Sequence, residues 1–316
     1  MDELPLLPLV DFPPNALEEI IHWLTPERLA ALIDATDLRA DTPKAKIRAL
    51  AETAIRLRCA SVCVNPVEVD LLPRLLAGTG VKECYVVDFP LGKSTIAMKA
   101  HQAACIVAES RTLRREGPGW VELDMVINVG RLRDDPEHTW REVAAVVDAA
   151  DGEVVKVILR SSELRHEEIT LACRIAQEAG AHFVKNSTGM EAFGATPEHI
   201  RRMREAVGPG TGVKAAGGIR TAADAVRLIF AGAPTPELRT PERFRLGTSS
   251  PAGLLSTLKR LREDLADAIP CSYCPSGYAE KQSPELRAAA LSLCPRCPHW
   301  HRREEWLSLL YRPPSS

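Results

Sequence analysis

Residues 154–218 read VVKVILRSSELRHEEITLACRIAQEAGAHFVKNSTGMEAFGATPEHIRRMREAVGPGTGVKAAGG. Three short runs rich in β-branched and apolar residues, VVKVIL (154–159), AHFVKNS (181–187) and GVKAAGG (212–218), are separated by stretches of a different period. In EEITLACRIAQEAG (167–180) the apolar residues recur every three or four positions, which marks an amphipathic helix. Strand, helix, strand at a spacing of about 30 residues is the pattern of a parallel sheet. Working outward, ALIDAT (31–36), CASVCVN (59–65), ECYVVDF (83–89), VELDMVIN (121–128) and FRLGTSS (244–250) continue the pattern and bring the strands to eight. Eight such units predict an α/β fold of the (β/α)8 TIM-barrel type, with an open doubly wound sheet as the alternative. The absence of a G-x-G-x-x-G after the first strand weakens the dinucleotide-binding version of that alternative.

Two segments fall outside the repeat. Residues 1–28 form an N-terminal extension, Pro-rich and then helical at NALEEIIHWL (15–24), predicted as a cap over one end of the barrel. The barrel domain is assigned to 29–262, and a C-terminal tail to 263–316, after the punctuation IPCSYCP. APTPELRTPE (233–242) reads as a loop insertion before the eighth strand.

The whole-chain averages exclude several function classes. With 40 Lys+Arg against 42 Asp+Glu among 316 residues, the net charge is −2 and the pI about 6.5, so the positive field of a general nucleic-acid binder is missing. Hydrophobic residues at 45% and charged ones at 26% fit a globular chain able to bury a core. MDELPLLPLVDFPPN has acidic residues where a signal peptide carries basic ones, and no run approaches the roughly 18 apolar residues of a membrane span. Nine cysteines, unevenly placed, do not make a disulfide framework; a reducing cytoplasm is expected.

The informative residues are charges set into apolar strands. Asp124, Lys156, Lys185 and Lys214 each sit in one of four consecutive predicted strands, and if they point inward they converge in register on a small space. Packing alone does not justify that desolvation. A lysine attacks only when neutral, and a reference pKa near 10.4 leaves roughly one in a thousand so at neutral pH. A second cation nearby and a dry pocket favour the free amine. Lys185 and Lys214, on adjacent strands, suit that pairing: one forms an imine with a carbonyl, and the imine withdraws electrons as a carbon–carbon lyase requires. Asp124 is placed to move protons with Lys214 or a water. Gly- and Ser-rich turns after the last strands, STG (187–189), AAGGIRT (215–221) and GTSSP (247–251), offer backbone N–H groups where barrels commonly bind phosphate.

Other signals carry less. GKST in DFPLGKST ends like a phosphate-binding loop, but Val87 stands where the first glycine belongs. His101, His138, His166 and His199 occur singly and are read as solvated, while Cys59, Cys84, Cys105 and Cys173 fit helix or strand cores.

In order along the chain, IDATDLRADTP, VCVNP, DFPLG, ELDMVINVG, KVIL, FVKNSTG, GVKAAGGIRT and LGTSS, from about Leu29 to Leu258, resemble the deoxyribose-phosphate aldolase family. The resemblance implies a TIM barrel and a metal-free class I aldolase. Its reaction would cleave 2-deoxy-D-ribose 5-phosphate to D-glyceraldehyde 3-phosphate and acetaldehyde, in deoxynucleoside breakdown. It further implies Lys185 as the Schiff-base lysine, Lys214 as the lysine that depresses its pKa, and Asp124 as the proton shuttle. Asp34 and Thr36 would line the pocket with Cys63 beside it, and Lys156 would complete the charged cluster. Gly189, Gly217, Gly218, Ser249 and Ser250 would contact phosphate. Ala35, Arg160, Asn186 and Met190 depart from the usual pattern, which keeps open an aldolase with another acceptor. The expected partner is a small phosphorylated sugar, with no nucleic acid or membrane, and homo-oligomerisation is left open.

The tail lies outside the resemblance. Cys271-x2-Cys274 and Cys294-x2-Cys297 form C-x2-C-x19-C-x2-C, a spacing that suits tetrahedral structural zinc; a redox dithiol is the alternative. SPELRAAALSL and REEWLSLLYR read as helices around it. A barrel-based binding protein that uses this tail for recognition is the competing reading from another function class.

Overall fold

The computed structural model describes residues 14–263. Eight parallel strands, β1 (Ile33–Asp37), β2 (Ser61–Val64), β3 (Lys82–Val87), β4 (Val121–Val126), β5 (Val154–Ile158), β6 (Phe183–Lys185), β7 (Gly212–Ala216) and β8 (Phe244–Thr248), pair in sequence order and close through β1 and β8. The (β/α)8 barrel is therefore as expected, and the open sheet is excluded. Around it lie α1 (Pro14–Trp23), α2 (Pro26–Ala31), α3 (Lys44–Leu57), α4 (Leu72–Leu76), α5 (Ile96–Arg114), α6 (Val129–Asp134), α7 (Pro136–Ala149), α8 (His166–Glu178), α9 (Pro197–Val207), α10 (Ala222–Gly232) and α11 (Pro251–Glu263).

Local sequence sets the helix starts. Thr95 Oγ1 accepts from Met98 N before α5, Asp135 caps α7, and Thr196 followed by Pro197 starts α9. At α10, Thr221 and Asp224 form a reciprocal capping box. The 233–242 segment is a loop holding one short 3-10 turn, Pro236–Leu238, as its prolines imply. The N-terminal extension is helical where anticipated; α1 packs on α10 and α11, buries Ile20, Ile21 and Leu24, and pairs Glu19 with Arg239 across 2.7 Å.

The strands have two unlike faces. Alternate residues of the last five strands, including Leu123, Met125, Val155, Val157, Val184, Val213, Ala215 and Leu246, join Val62, Val64 and the helices in one large apolar core between barrel and shell. Each fully buried aliphatic side chain there contributes on the order of 1.5–3 kcal/mol. Because side chains alternate along a strand, the intervening residues point into the barrel. That interior holds a small cluster of Leu38, Cys63, Cys84 and Val86, apolar residues such as Phe183, and a concentration of buried charges.

Candidate active site

Alternation delivers the charges to one place. Asp34 on β1, Glu122 and Asp124 on β4, Lys156 on β5, Lys185 on β6, Lys214 on β7 and Arg245 on β8 all face the barrel interior, and none is more than 3% exposed. They are not all in register. Asp124 pairs with Lys156, and Lys185 with Lys214, but Lys156 lies opposite Phe183, two residues below Lys185. Stagger between strands stacks the charges in two levels instead of one ring.

Asp124 is the hub. Its Oδ2 accepts from Lys185 Nζ and Lys214 Nζ, both at 2.7 Å, and its Oδ1 from Lys156 Nζ at 3.1 Å. Burial opposes its charge, but the three ammonium groups outweigh burial and hold the carboxyl well below the usual range. Lys214 also reaches Asp34 Oδ2 at 2.6 Å; burial disfavours its charge, yet Asp124 and Asp34 keep its pKa raised. Lys156 reaches Glu122 at 2.6 Å and Asp34 at 3.7 Å, and its pKa is likewise raised against burial, chiefly by Asp124. Arg245 closes the lower level, bonding Asp34 Oδ1 at 2.6 Å and Glu122 Oε1 at 2.9 Å. Gly247 leaves the Lys214 side chain its room: a Cβ there would stand 3.4 Å from Lys214 Cε and 3.2 Å from Ala216 Cβ, a tight fit.

Counting partners distinguishes the three lysines. Lys156 has three carboxylates within 4 Å, Lys214 two and Lys185 one. Four buried cationic side chains share three carboxylates, with the half-buried Lys82 3.7 Å from Glu122 at the edge of the cluster, and Lys185 is the lysine held by the fewest ion pairs. Lys214, whose pKa its two carboxylates keep raised, stands beside it on the same Asp124 oxygen.

The remaining expected residues lie at the strand ends. Thr36 donates to Asp34 O at 2.8 Å, and Cys63 Sγ lies 3.8 Å from Asp124 Oδ2. Gly189, Gly217 and Gly218 all have positive φ, at 83°, 88° and 79°. The turns after β6 and β7 touch: a Cβ on Gly217 would meet Gly194 Cα at 2.7 Å and Gly189 Cα at 3.5 Å. Thr248 Oγ1 donates to Ile219 O at 2.8 Å, joining the third turn, where Ser249 and Ser250 are exposed. Five predicted positions thus share one patch at the mouth.

Sequence reasoning missed Glu122, Arg245 and a role for Cys84. Glu122 and Arg245 stand two residues before Asp124 and Gly247, on the same strand face, and strict alternation would have found them. Cys84, read as inert core, bonds Asp124 Oδ1 at 3.1 Å and accepts from Lys156 Nζ at 3.3 Å. Burial, with Cys63 and Asp124, holds its thiol well above the ordinary value. Two other assignments are corrected. Cys105 is exposed on α5, 3.5 Å from His101, because it falls on the helix face opposite Ala103, Ile106 and Val107. His199 is buried and bonded to Ser161 Oγ at 3.0 Å; burial, then His166 and Arg202, push its pKa down to about 4.

Cys63, Cys84 and Asp124, and likewise Asp34, Cys84 and Glu122, bring three metal-ligating atoms within 4.8 Å of one another. Lys156 Nζ already contacts Cys84 and all three of these carboxylates, so an ammonium takes the place a cation would need. Cys271, Cys274, Cys294 and Cys297 lie outside the described residues. Among the described residues, no helix is long and apolar enough to cross a membrane.

A closed barrel whose interior holds a lysine pair on one buried carboxylate defines an enzyme that acts through amine and carboxylate side chains. Residues 29–260 match the DeoC family, described as DeoC/LacD family aldolase, and the chain belongs to it. It is 46% identical over 209 residues to the deoxyribose-phosphate aldolase of Clostridium perfringens (strain SM101 / Type A), covering 66% of this chain and 89% of the relative. Deoxyribose-phosphate aldolase 1 of Bacillus licheniformis is 47% identical over 209 residues, 66% of this chain and 90% of its own. Among solved structures, the tetrameric deoxyribose phosphate aldolase from Aeropyrum pernix superposes with a TM-score of 0.68 at 32% identity, over 79% of this chain and 99% of that one.

Proposed function

We propose that this chain is a class I aldolase cleaving 2-deoxy-D-ribose 5-phosphate to D-glyceraldehyde 3-phosphate and acetaldehyde. The observation that carries this reading is the sharing of Asp124 Oδ2 by Lys185 and Lys214 at 2.7 Å each, inside a family whose named relatives are deoxyribose-phosphate aldolases. The neutral amine of Lys185 adds to the C1 carbonyl of the open-chain sugar, and the adduct loses water to give an iminium. Loss of the C3 hydroxyl proton then breaks the C2–C3 bond. The electron pair passes into an enamine, and glyceraldehyde 3-phosphate leaves. Protonation at C2 and hydrolysis release acetaldehyde and return Lys185. Asp124 takes and returns these protons while charged Lys214 keeps the neighbouring amine free. Thr36, Asp34 and Cys63 line the pocket, and the turns at Gly189, Gly217–Gly218 and Ser249–Ser250 receive the phosphate.

Borohydride reduction with acetaldehyde, followed by peptide mass spectrometry, tests the reading. An ethyl adduct on Lys185 is expected, and active, folded protein that carries none overturns it. Comparable rates on deoxyribose 5-phosphate and deoxyribose would instead point to another acceptor, the reading that Asn186 and Arg160 favour. Both stand at the mouth: Asn186 Oδ1 accepts from Ala216 N at 2.7 Å, and Arg160 bonds Glu163 at 2.5 Å and 2.9 Å.

The reading extends to a cytoplasmic homo-oligomer, in keeping with the tetrameric relative, and to structural zinc held by Cys271, Cys274, Cys294 and Cys297. Metal analysis should find about one zinc per chain, lost when Cys271 and Cys294 are replaced by serine.

A further inference from the structure

The turn after β6 already holds an anion. Glu191 folds back on residues 187–189: Ser187 Oγ donates to its Oε2 at 2.5 Å, Thr188 N to Oε1 at 3.0 Å and Oε2 at 3.2 Å, and Gly189 N is shared between Oε2 at 3.2 Å and Ser187 Oγ at 2.8 Å. Its side chain is 0% exposed, although Gly189 and Met190 beside it are exposed. Successive backbone N–H groups converging on one oxygen, with a left-handed glycine among them, make an anion-binding nest. Here the anion comes from the chain itself. Among the described residues its ion-pair partner is Arg160, with Nε 3.9 Å from Oε1, and that guanidinium is committed to Glu163 and to Pro90 O.

The nest adjoins the patch assigned to phosphate. Ser187 Oγ, which donates to Glu191, lies 3.4 Å from where a Gly217 Cβ would stand, and Gly189 Cα lies 3.5 Å from it. A phosphate dianion reaching for Gly189 N–H therefore meets a donor already in use and a like charge against it. Like charges set side by side in a water-poor site discriminate strongly between ligands.

We infer that Glu191 is a specificity-determining residue, an internal anion that competes with the sugar phosphate for the nest after β6 and lowers the preference for phosphorylated over unphosphorylated deoxyribose. Gly217–Gly218 and Ser249–Ser250 remain as the phosphate's donors, and Gly189 N–H joins them only when Glu191 moves out. The inference rests on the aldolase reading above and concerns one end of the same pocket.

The test compares the parent with Glu191→Gln and Glu191→Ser. Two quantities are measured for each: the ratio of kcat/KM on deoxyribose 5-phosphate to that on deoxyribose, and the inhibition constant of inorganic phosphate against deoxyribose cleavage. Removing the charge is expected to raise the ratio about tenfold and to tighten phosphate inhibition by a similar factor. Glu191→Ser, which also clears the nest, should exceed Glu191→Gln. An unchanged ratio overturns the inference, as does an equal fall on both substrates, which would mark Glu191 as a support for the turn and nothing more. Borohydride trapping on the parent separates the two readings. Failure to modify Lys185 sinks the aldolase assignment, whereas a Lys185 adduct with an unmoved ratio sinks only the role of Glu191.

Discussion

Lys185 inside the barrel and Lys99 between barrel and helices are equally hidden from water, at 2% and 0% exposure, but their surroundings differ in kind. Lys99 Nζ donates to Gly92 O at 3.1 Å, Val126 O at 2.9 Å and Glu142 Oε2 at 2.6 Å, so each of its three protons has an acceptor. Asp88 stands 3.3 Å away and supplies a second negative charge. Glu83, at the other end of α5, is treated likewise by Arg114 at 2.8 Å, Ser110 at 2.6 Å and Tyr85 at 3.0 Å. Lys185 has a single carboxylate partner, shared with two other lysines. Burial alone therefore does not mark a reactive lysine. Incomplete compensation is the difference between the two lysines, and the proposed role of Lys185 as nucleophile rests on it.

The same substitution at the two sites should separate them. Lys185→Met is expected to lower kcat about ten-thousandfold or more while moving the melting temperature by less than about 3 °C, since three cations then face three carboxylates. Steady-state assay and calorimetry on one preparation measure both, and a large loss of stability would break the contrast. Lys99→Met should do the reverse. It strands Glu142, whose pKa burial already raises, and should cost about 3–5 kcal/mol in urea unfolding with most of the catalytic rate retained.

The smallest effect concerns pH. His199, in the outer layer, has a folded pKa of about 4 against an ordinary 6.5, so the unfolded chain binds the extra proton between those values. Its contribution is complete above pH 6.5 and is lost as pH falls toward 4, by up to about 3 kcal/mol. The central cluster adds slope only at the acid end of that range, where the unfolded chain begins to protonate carboxylates such as Glu122 and Asp124 that the fold keeps ionised. The lowered pKa of Asp124 keeps its contribution intact above the ordinary carboxylate range, and the raised pKa of Lys214 keeps its own below the ordinary lysine range. His199→Asn should flatten urea midpoints measured between pH 6.5 and 4.5, and an unchanged slope would place the titrating group elsewhere.

Much of this was legible in the sequence, for physical reasons that also mark where legibility ended. All eight strands follow from period-two runs between amphipathic helices, although β1 begins at Ile33 because Ala31 still belongs to α2. Asp124, Lys156, Lys185 and Lys214 stood out because each interrupts an apolar run. Glu122 and Arg245 lie near strand starts, where a charge is ordinarily solvated, and only closure of the barrel buries them. His199 falls on a helix face with Ile200, Met203 and Val207, and a lone histidine carries no periodic signal of its own. Glu191 escaped notice because its partners are backbone N–H groups of a turn, and residue types do not encode how a turn folds back.

The Arg245 level has one more consequence. Arg245, bonded to Glu122 and Asp34 and lying 5.7 Å from the Phe183 ring centroid, fills the barrel beneath the lysines, so on the proposed mechanism they are reached from the other end, past the turns after β6, β7 and β8. Sugar, aldehyde products and the water exchanged at the imine all pass the same rim. Traffic is then necessarily sequential: the larger product must clear the mouth before a water can reach the enamine-derived imine. Whatever slows departure at the rim lengthens the life of the bound two-carbon fragment, during which a second aldehyde can enter and be joined to it. Cleavage and synthesis run through the same intermediates on any catalyst; what a filled floor adds is that passage at the mouth sets how long the two-carbon fragment waits for either water or aldehyde.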